Sequence, residues 1–434
     1  MPLLVFKGKS NKYLFSNGCG RATLHGPAEC LILNHLRKAI AKKRLAGIKN
    51  TFPGLNSLAL CLVFGQKVLQ PMLAELYYPP SLEPADLDAH LEDGWFRMGQ
   101  AIFTTSFLKF KDIIYSAIWL RINLRSFSES STQKKLRKLN SGFNVIIREA
   151  FIDETKEDLF ARYQSHVAFD TAPNLQQLLF GYGDNDIYET LEICIYDDSK
   201  LIACGFFDLG EKTSAGISCF YDPEYKKHSL GKYLMFLKME FSKRQGLQYF
   251  YLGYFAPGYP LFDYKLGLSK DNLEFMDQAT ERWLPIEQFS YDAIPLDIMK
   301  QKLHELQMAL SQESVNSAFQ YYEFFDADLI NTLNGLRLFD FPVFLFCFGI
   351  STANPIVVYD HRDARYHLLT YHCIYETMFE QKDLSRFNTH LLQTSKVLFS
   401  TASVQTMIKV ITTALRKNRT GEFYIFELVM KGIA

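Results

Sequence analysis

Residues 215–254, AGISCFYDPEYKKHSLGKYLMFLKMEFSKRQGLQYFYLGY, carry the pattern on which the fold turns. AGISCFY reads as a strand. The stretch from Ser229 to Arg244 places Leu230, Tyr233, Leu234, Leu237 and Phe241 on one stripe, the spacing of a helix buried along one side. LQYFYLGY is a strand again. Upstream, FNVIIREAF (143–151) is strand-like, Glu154 to Val167 has helical spacing through Leu159, Phe160, Tyr163 and Val167, and YETLEICIYD and LIACGFFDL are two further strands. RWLPIEQF (282–289) is the last strand of the series. The order predicts an α+β domain: a meander of antiparallel strands feeding a helix, then a returning strand, giving a mixed, mostly antiparallel sheet with flanking helices.

Working outward, AIFTTSFLKF (101–110) and YSAIWLRINLRSF (115–127) alternate as strands, and STQKKLRKLN (131–140) is a short basic run. Residues 72–100 combine a Pro-rich entry, an acidic helix-like segment and an aromatic strand. Beyond residue 290 a helix is expected from Leu296 to Leu310 and another from Val404 to Arg416. FPVFLFCFGI (341–350) is a buried strand or helix that periodicity cannot assign. The expected organisation is a basic stretch 1–71, a small N-terminal domain 72–142, the mixed-sheet domain 143–289 and a C-terminal extension 290–434.

The chain of 434 residues is 48% hydrophobic and 22% charged, which excludes disordered and fibrous classes. Its 47 basic and 47 acidic side chains cancel, but unevenly. Residues 1–71 hold eleven Lys and Arg against the single acid Glu29, so the remainder is acidic by ten charges. This step at Met72 is what an upstream extension or a mobile basic arm leaves, and Met72 is an alternative start. The eight cysteines are scattered without a C-x-x-C pair, several in apolar runs, the usage of buried thiols in a reducing, cytoplasmic compartment. The apolar run 55–65 is too short to span a bilayer, which takes about 20 residues.

The loop and helix start YDPEYKKHSLGKY occupy the place where the GNAT acyltransferase fold carries Q/R-x-x-G-x-G/A around a coenzyme A pyrophosphate. Gly231 falls in register, and Tyr233 stands where the second small residue belongs and is expected to crowd that anion. The motifs ISCFYDPEY (217–225), SLGKY (229–233), YFYLGYF (249–255), FDYK (262–265) and RWLP (282–285), with GWFRMGQAIF (94–103) and WLRINLRSFSESSTQKKLRKLN (119–140) upstream, resemble the arginyl-tRNA–protein transferases and their bacterial leucyl-transferring relatives. The resemblance covers roughly residues 72–289. It implies a GNAT-like catalytic domain and transfer of Arg or Leu from aminoacyl-tRNA to the α-amine of proteins with an acidic N-terminal residue, marking them for N-end rule degradation, without a membrane. Oxyanion stabilisation is expected at the helix start, Ser229 and Gly231. Asp222, Asp263, Tyr251 and Tyr254 are the candidate proton relays. The acidic acceptor calls for a cation, for which Lys265 and Arg97 are candidates, with Tyr233 and Tyr264 in the substrate-binding set. The run Lys134, Lys135, Arg137 and Lys138 is the candidate tRNA contact.

Many members of that family carry paired cysteines in the N-terminal domain. Here no cysteine occurs between Met72 and Cys194, and Ser116 and Ala117 stand before the WLRINL strand, so neither metal nor cofactor is expected. His361, His367, His372 and Cys373 lack tight ligand spacing and read as satisfied side chains. No G-x-S-x-G elbow is present. Two alternatives stand beside the transferase: a GNAT-type N-acyltransferase using an acyl-coenzyme A donor, and a binder of acidic N-termini without catalysis.

Overall fold

The computed structural model describes residues 72–110, 112–169, 171–181, 185–330, 333–348, 355–375, 387–388 and 390–418. The basic stretch 1–71 lies outside them. Two compact units result, one spanning Glu75–Ile298 and the other taking up the chain at Met299.

The first unit opens with β1 (Ala74–Tyr77) and α1 (Pro84–Glu92), whose Pro84 sits in the first turn and whose Leu87 and Leu91 are buried four residues apart. Next come β2 (Phe96–Met98) and β3 (Ala101–Thr105), then the hairpin β4 (Phe107–Phe110) and β5 (Ile113–Ser116), then β6 (Ile118–Asn123). α2 (Ser131–Leu139) starts at a capping box in which Ser130 and Gln133 satisfy each other's backbone N–H groups. β7 (Asn144–Glu149) leads to α3 (Glu154–Gln164), capped by Asp153, and α4 (Leu175–Leu179), capped by Asn174. β8 (Thr190–Asp197), β9 (Lys200–Leu209) and β10 (Thr213–Tyr221) form the meander; α5 (Leu230–Arg244) and β11 (Tyr249–Phe255) follow, then β12 (Leu273–Asp277) and β13 (Arg282–Pro285), and α6 (Pro295–Gln312) carries the chain into the second unit.

Eight strands make one sheet in the order β13-β12-β6-β11-β10-β9-β8-β7. The meander is antiparallel and β11 returns parallel to β10 after α5. A meander, a helix and a parallel return strand constitute a GNAT-like fold. β6 is inserted between β11 and β12, so residues upstream of 142 and downstream of 143 share the sheet. Leu159, Phe160, Leu175, Leu178, Phe206, Ile217 and Phe220 pack together between the sheet and helices α3 and α4.

α5 carries a lysine on its buried stripe. The Lys238 ammonium donates to Phe206 O and Ser218 O, both at 2.7 Å, thereby holding β9 and β10 where their register slips between Gly216 and Ser218. Gly205 leaves the space for it: a Cβ there would stand 3.0 Å from Lys238 Nζ and from Ser218 O.

The second unit holds β14 (Ala318–Tyr322), β15 (Val343–Phe346), β16 (Ile356–Asp360), β17 (Arg365–Tyr375), β18 (Phe387–Asn388), β19 (Leu391–Thr401) and α7 (Val404–Asn418), with sheet order β18-β14-β15-β16-β17-β19. FPVFLFCFGI resolves into the strand β15, every residue of which is buried. Among the described residues no helix is long and apolar enough to cross a membrane.

Gly205→Ala is expected to destabilise the first unit by about 1–3 kcal/mol through overpacking against Ser218 O and Lys238, measured as a lowered urea midpoint.

Candidate functional site

β10 and β11 pair only over Thr213–Ala215 with Tyr249–Tyr251. Past that point each strand follows its other neighbour: β10 stays on β9 as far as Tyr221, and β11 stays on β6 as far as Phe255. Two irregularities part them. One is the Gly216/Ser218 slip in β10; the other lies between Tyr251 and Gly253 in β11, where Gly253 takes φ +73°. The parted segments, Gly216–Tyr221 and Leu252–Phe255, turn towards each other edges that do not pair, a place where a ligand can take up backbone hydrogen bonds.

β10 runs directly into the helix start. Asp222 is buried, accepts from Glu224 N at 3.1 Å and pairs with Lys200 at 3.0 Å. Burial opposes its ionisation, but Lys200 and the backbone N–H outweigh it and hold the carboxyl below the usual range. Asp222 therefore caps the 3-10 turn Pro223–His228, a structural duty that leaves it a poor proton relay. Ser229 follows in the left-handed region (φ 51°, ψ 42°), exposed, with its hydroxyl making no cap bond. The first-turn N–H groups of α5 thus have no side-chain cap from Ser229, a favourable end for developing negative charge. Gly231 packs closely under Tyr221: a Cβ would stand 3.3 Å from its ring. Tyr233 lines a groove between α2 and α5.

On the opposite side, Lys265 is fully buried in the 3-10 turn Pro260–Gly267 and donates to Tyr254 O at 2.5 Å, on the parted segment of β11. Among the described residues no carboxylate pairs with it, and burial lowers its pKa to about 7. Among the described residues the buried Tyr254 hydroxyl has no hydrogen-bond partner, and burial raises its pKa above the usual phenol range. Tyr251 differs: its hydroxyl meets Glu92 at 3.2 Å and Arg121 at 3.3 Å. Arg121 itself bridges Glu92 and Glu274 and lies over the rings of Tyr249 and Trp283, a knot of charge that fastens β6, β11 and β12. Asp263 is exposed, apart from the buried Lys265, while Tyr264 is 40% exposed.

Arg97 is spent elsewhere. It pairs with buried Asp208 at 2.6 Å and donates to Thr190 and to Leu179 O, so it ties β2 to the meander and is no free anchor for a substrate carboxylate. In the basic run, Arg137 pairs with Glu129 and Glu240, whereas Lys134, Lys135 and Lys138 are exposed on α2. The structure thus gathers Ser229, Gly231, Tyr254 and Lys265 on the elements bordering the parting; Asp263 shares the turn of Lys265 but is exposed, and Arg97 is committed to Asp208. Sequence reasoning missed Lys238 and Arg121. The first was signalled by a lysine interrupting LMFLKMEF on the buried stripe; the second carried no such local mark. Glu192, Cys194 and Cys204 converge within the sheet, but Arg148 and Lys156 already neutralise Glu192, so the cluster is an ion-paired core.

Two outcomes are expected. Arg97→Ala should cost about 3–5 kcal/mol in urea unfolding, because it strands the Asp208 carboxylate. Lys265 has a folded pKa of about 7 against 10.5, so between these values the unfolded chain binds the extra proton and stability gains from this group as pH rises. Lys265→Met should remove that gain, measured as a smaller difference between unfolding free energies at pH 7 and pH 9.

Comparisons with known proteins find the following similarities. Residues 155–273 match the family model described as arginine-tRNA-protein transferase, C terminus. An aspartate/glutamate leucyltransferase of Leptospira interrogans is 28% identical over 221 residues, covering 49% of this chain and 83% of that protein. One from Campylobacter jejuni is 28% identical over 190 residues, covering 42% and 77%. Among solved structures, FemX aligns with a TM-score of 0.28 at 11% identity, over 44% of this chain and 68% of its own. Residues 155–273 thus carry a match to the arginine-tRNA-protein transferase C-terminal domain, and the chain is a distant homologue of the aspartate/glutamate leucyltransferases.

Proposed function

We propose that this chain transfers arginine or leucine from aminoacyl-tRNA to the free α-amine of proteins that begin with an acidic residue. The observation that carries the acceptor side of this reading is Lys265, buried beside the parted strands, donating to Tyr254 O and paired with no carboxylate among the described residues. A cation placed out of water without an anion is a ready partner for a carboxylate. The aspartate/glutamate acceptor named for the relatives fits it.

The chemistry asks for position more than for activation. The ester linking amino acid to ribose is already reactive, and an α-amine with a pKa near ~8 is partly neutral at neutral pH. Its nitrogen attacks the ester carbonyl carbon, the C–N bond forms, and the carbon–oxygen bond to ribose breaks. The nitrogen loses a proton and the ribose oxygen gains one. In this reading the N–H groups of Leu230, Gly231 and Lys232 at the start of α5 receive the oxyanion. The Tyr254 hydroxyl, unpartnered and held protonated by burial, is a better relay than Tyr251, whose hydroxyl already serves the Arg121 knot.

The test incubates the chain with radiolabelled arginyl-tRNA or leucyl-tRNA and peptides beginning with Asp, Glu or Ala. Label is expected on the acidic peptides from one donor; label on none of them from either donor overturns the proposal. Lys265→Ala should lower kcat/KM for acidic peptides by about tenfold or more, the loss expected for one charge-assisted contact, with donor binding unchanged. Because Lys265 is cationic below about pH 7, the preference for Asp over Ala peptides should shrink between pH 6 and pH 8.5.

A further inference from the structure

The Tyr233 groove has a chemistry of its own. It measures about 430 Å³, within the range of roughly 300–1,000 Å³ typical of small-ligand sites, and lies between α2 and α5. On α5 it is lined by residues 233, 236, 237, 240, 243 and 244, a stretch of twelve residues, about 16 Å of helix. Phe127, Tyr233 and Phe236 give it aromatic surface. Its two acids are already matched, Glu129 by Arg137 and Glu240 by Arg137 and Arg244. The exposed Lys134, Lys135 and Lys138 stand on the flanking helix α2.

Gln133 gives the groove its specific signal. It lines the groove, is 4% exposed, and its amide nitrogen is buried without a hydrogen-bond partner among the described residues. The amide cannot be read the other way round, because its oxygen accepts from Ser130 N at 2.6 Å in the capping box. A donor is therefore fixed in the wall of an aromatic groove, on a helix that also carries exposed lysines, and leaving it unsatisfied has a cost that a ligand acceptor would lift. A planar, stacking group with an acceptor on its edge, joined to phosphates, meets all three features. That is an unpaired nucleotide.

Resting on the transferase reading above, we propose that this groove binds unpaired nucleotides at the 3′ end of the donor tRNA, with Gln133 Nε2 donating to a base edge and α2 lysines facing the phosphates. Tyr233 lies one turn from Ser229, so a strand along the groove leads towards the start of α5.

The probes are two RNA hairpins of identical stem, one with a four-nucleotide single-stranded 3′ tail and one blunt, titrated against the full chain by fluorescence anisotropy. The wild-type chain should bind the tailed hairpin about tenfold more tightly, on the order of one good hydrogen bond with its stacking. Gln133→Glu keeps the capping-box acceptor and removes the donor. It should abolish most of that preference with no change in thermal midpoint. Undiminished preference in the variant, or an equal loss on both hairpins, overturns the assignment of the groove while leaving the transferase reading intact. Failure of the wild-type chain to bind either hairpin, together with no amino-acid transfer from charged tRNA, overturns both.

Discussion

Two carbonyl oxygens, of Phe206 and Ser218, converge on the ammonium of Lys238, and the architecture around the parted strands rests on that junction. A strand slip leaves backbone groups out of the regular ladder, and a buried carbonyl left so is costly. The lysine reaches from α5 into the sheet and satisfies them, with Gly205 ceding the space. The same contact binds α5 to β9 and β10. Helix and irregular strand are therefore positioned together, and the uncapped start of α5 follows the line of β10.

The parting also separates two kinds of polar group. Arg121 with Glu92, Glu274 and Tyr251 is saturated: each member has partners, and the knot fastens three strands. Lys265 and Tyr254 are undersupplied: among the described residues the one lacks an anion and the other any partner for its hydroxyl. Buried groups of the first kind stabilise a unique sheet, and groups of the second kind are kept where a ligand completes them. By that distinction Arg97, saturated by Asp208, belongs to the framework.

Local periodicity made the meander, α5 and β11 legible, because each is long and buried on a defined side. β6 was legible as a strand but its place was not: its pairing with β11 joins residues some 130 apart, for which no local pattern exists. β12 is short and lies among 3-10 turns, so it gave no signal. FPVFLFCFGI stayed ambiguous because uniform burial erases periodicity. At the site, residue types were readable and burial was not. Lys265 and Asp263 stand two apart in FDYK, yet one is buried and the other exposed, and a 3-10 turn decides which. Gln133 was hidden for the opposite reason, since its capping role fully accounts for it in sequence.

The insertion of β6 has a consequence for how this chain must be handled. β11 holds β10 by three residue pairs, whereas β6 lies along nearly its whole length. A fragment beginning at residue 143 would keep every motif of the return strand and lose the neighbour that secures it, exposing a long aromatic edge prone to foreign pairing. Synthesis imposes a matching order: residues 118–123 emerge early and wait for more than a hundred others before their partner exists, so the sheet closes late, by a contact of high sequence separation.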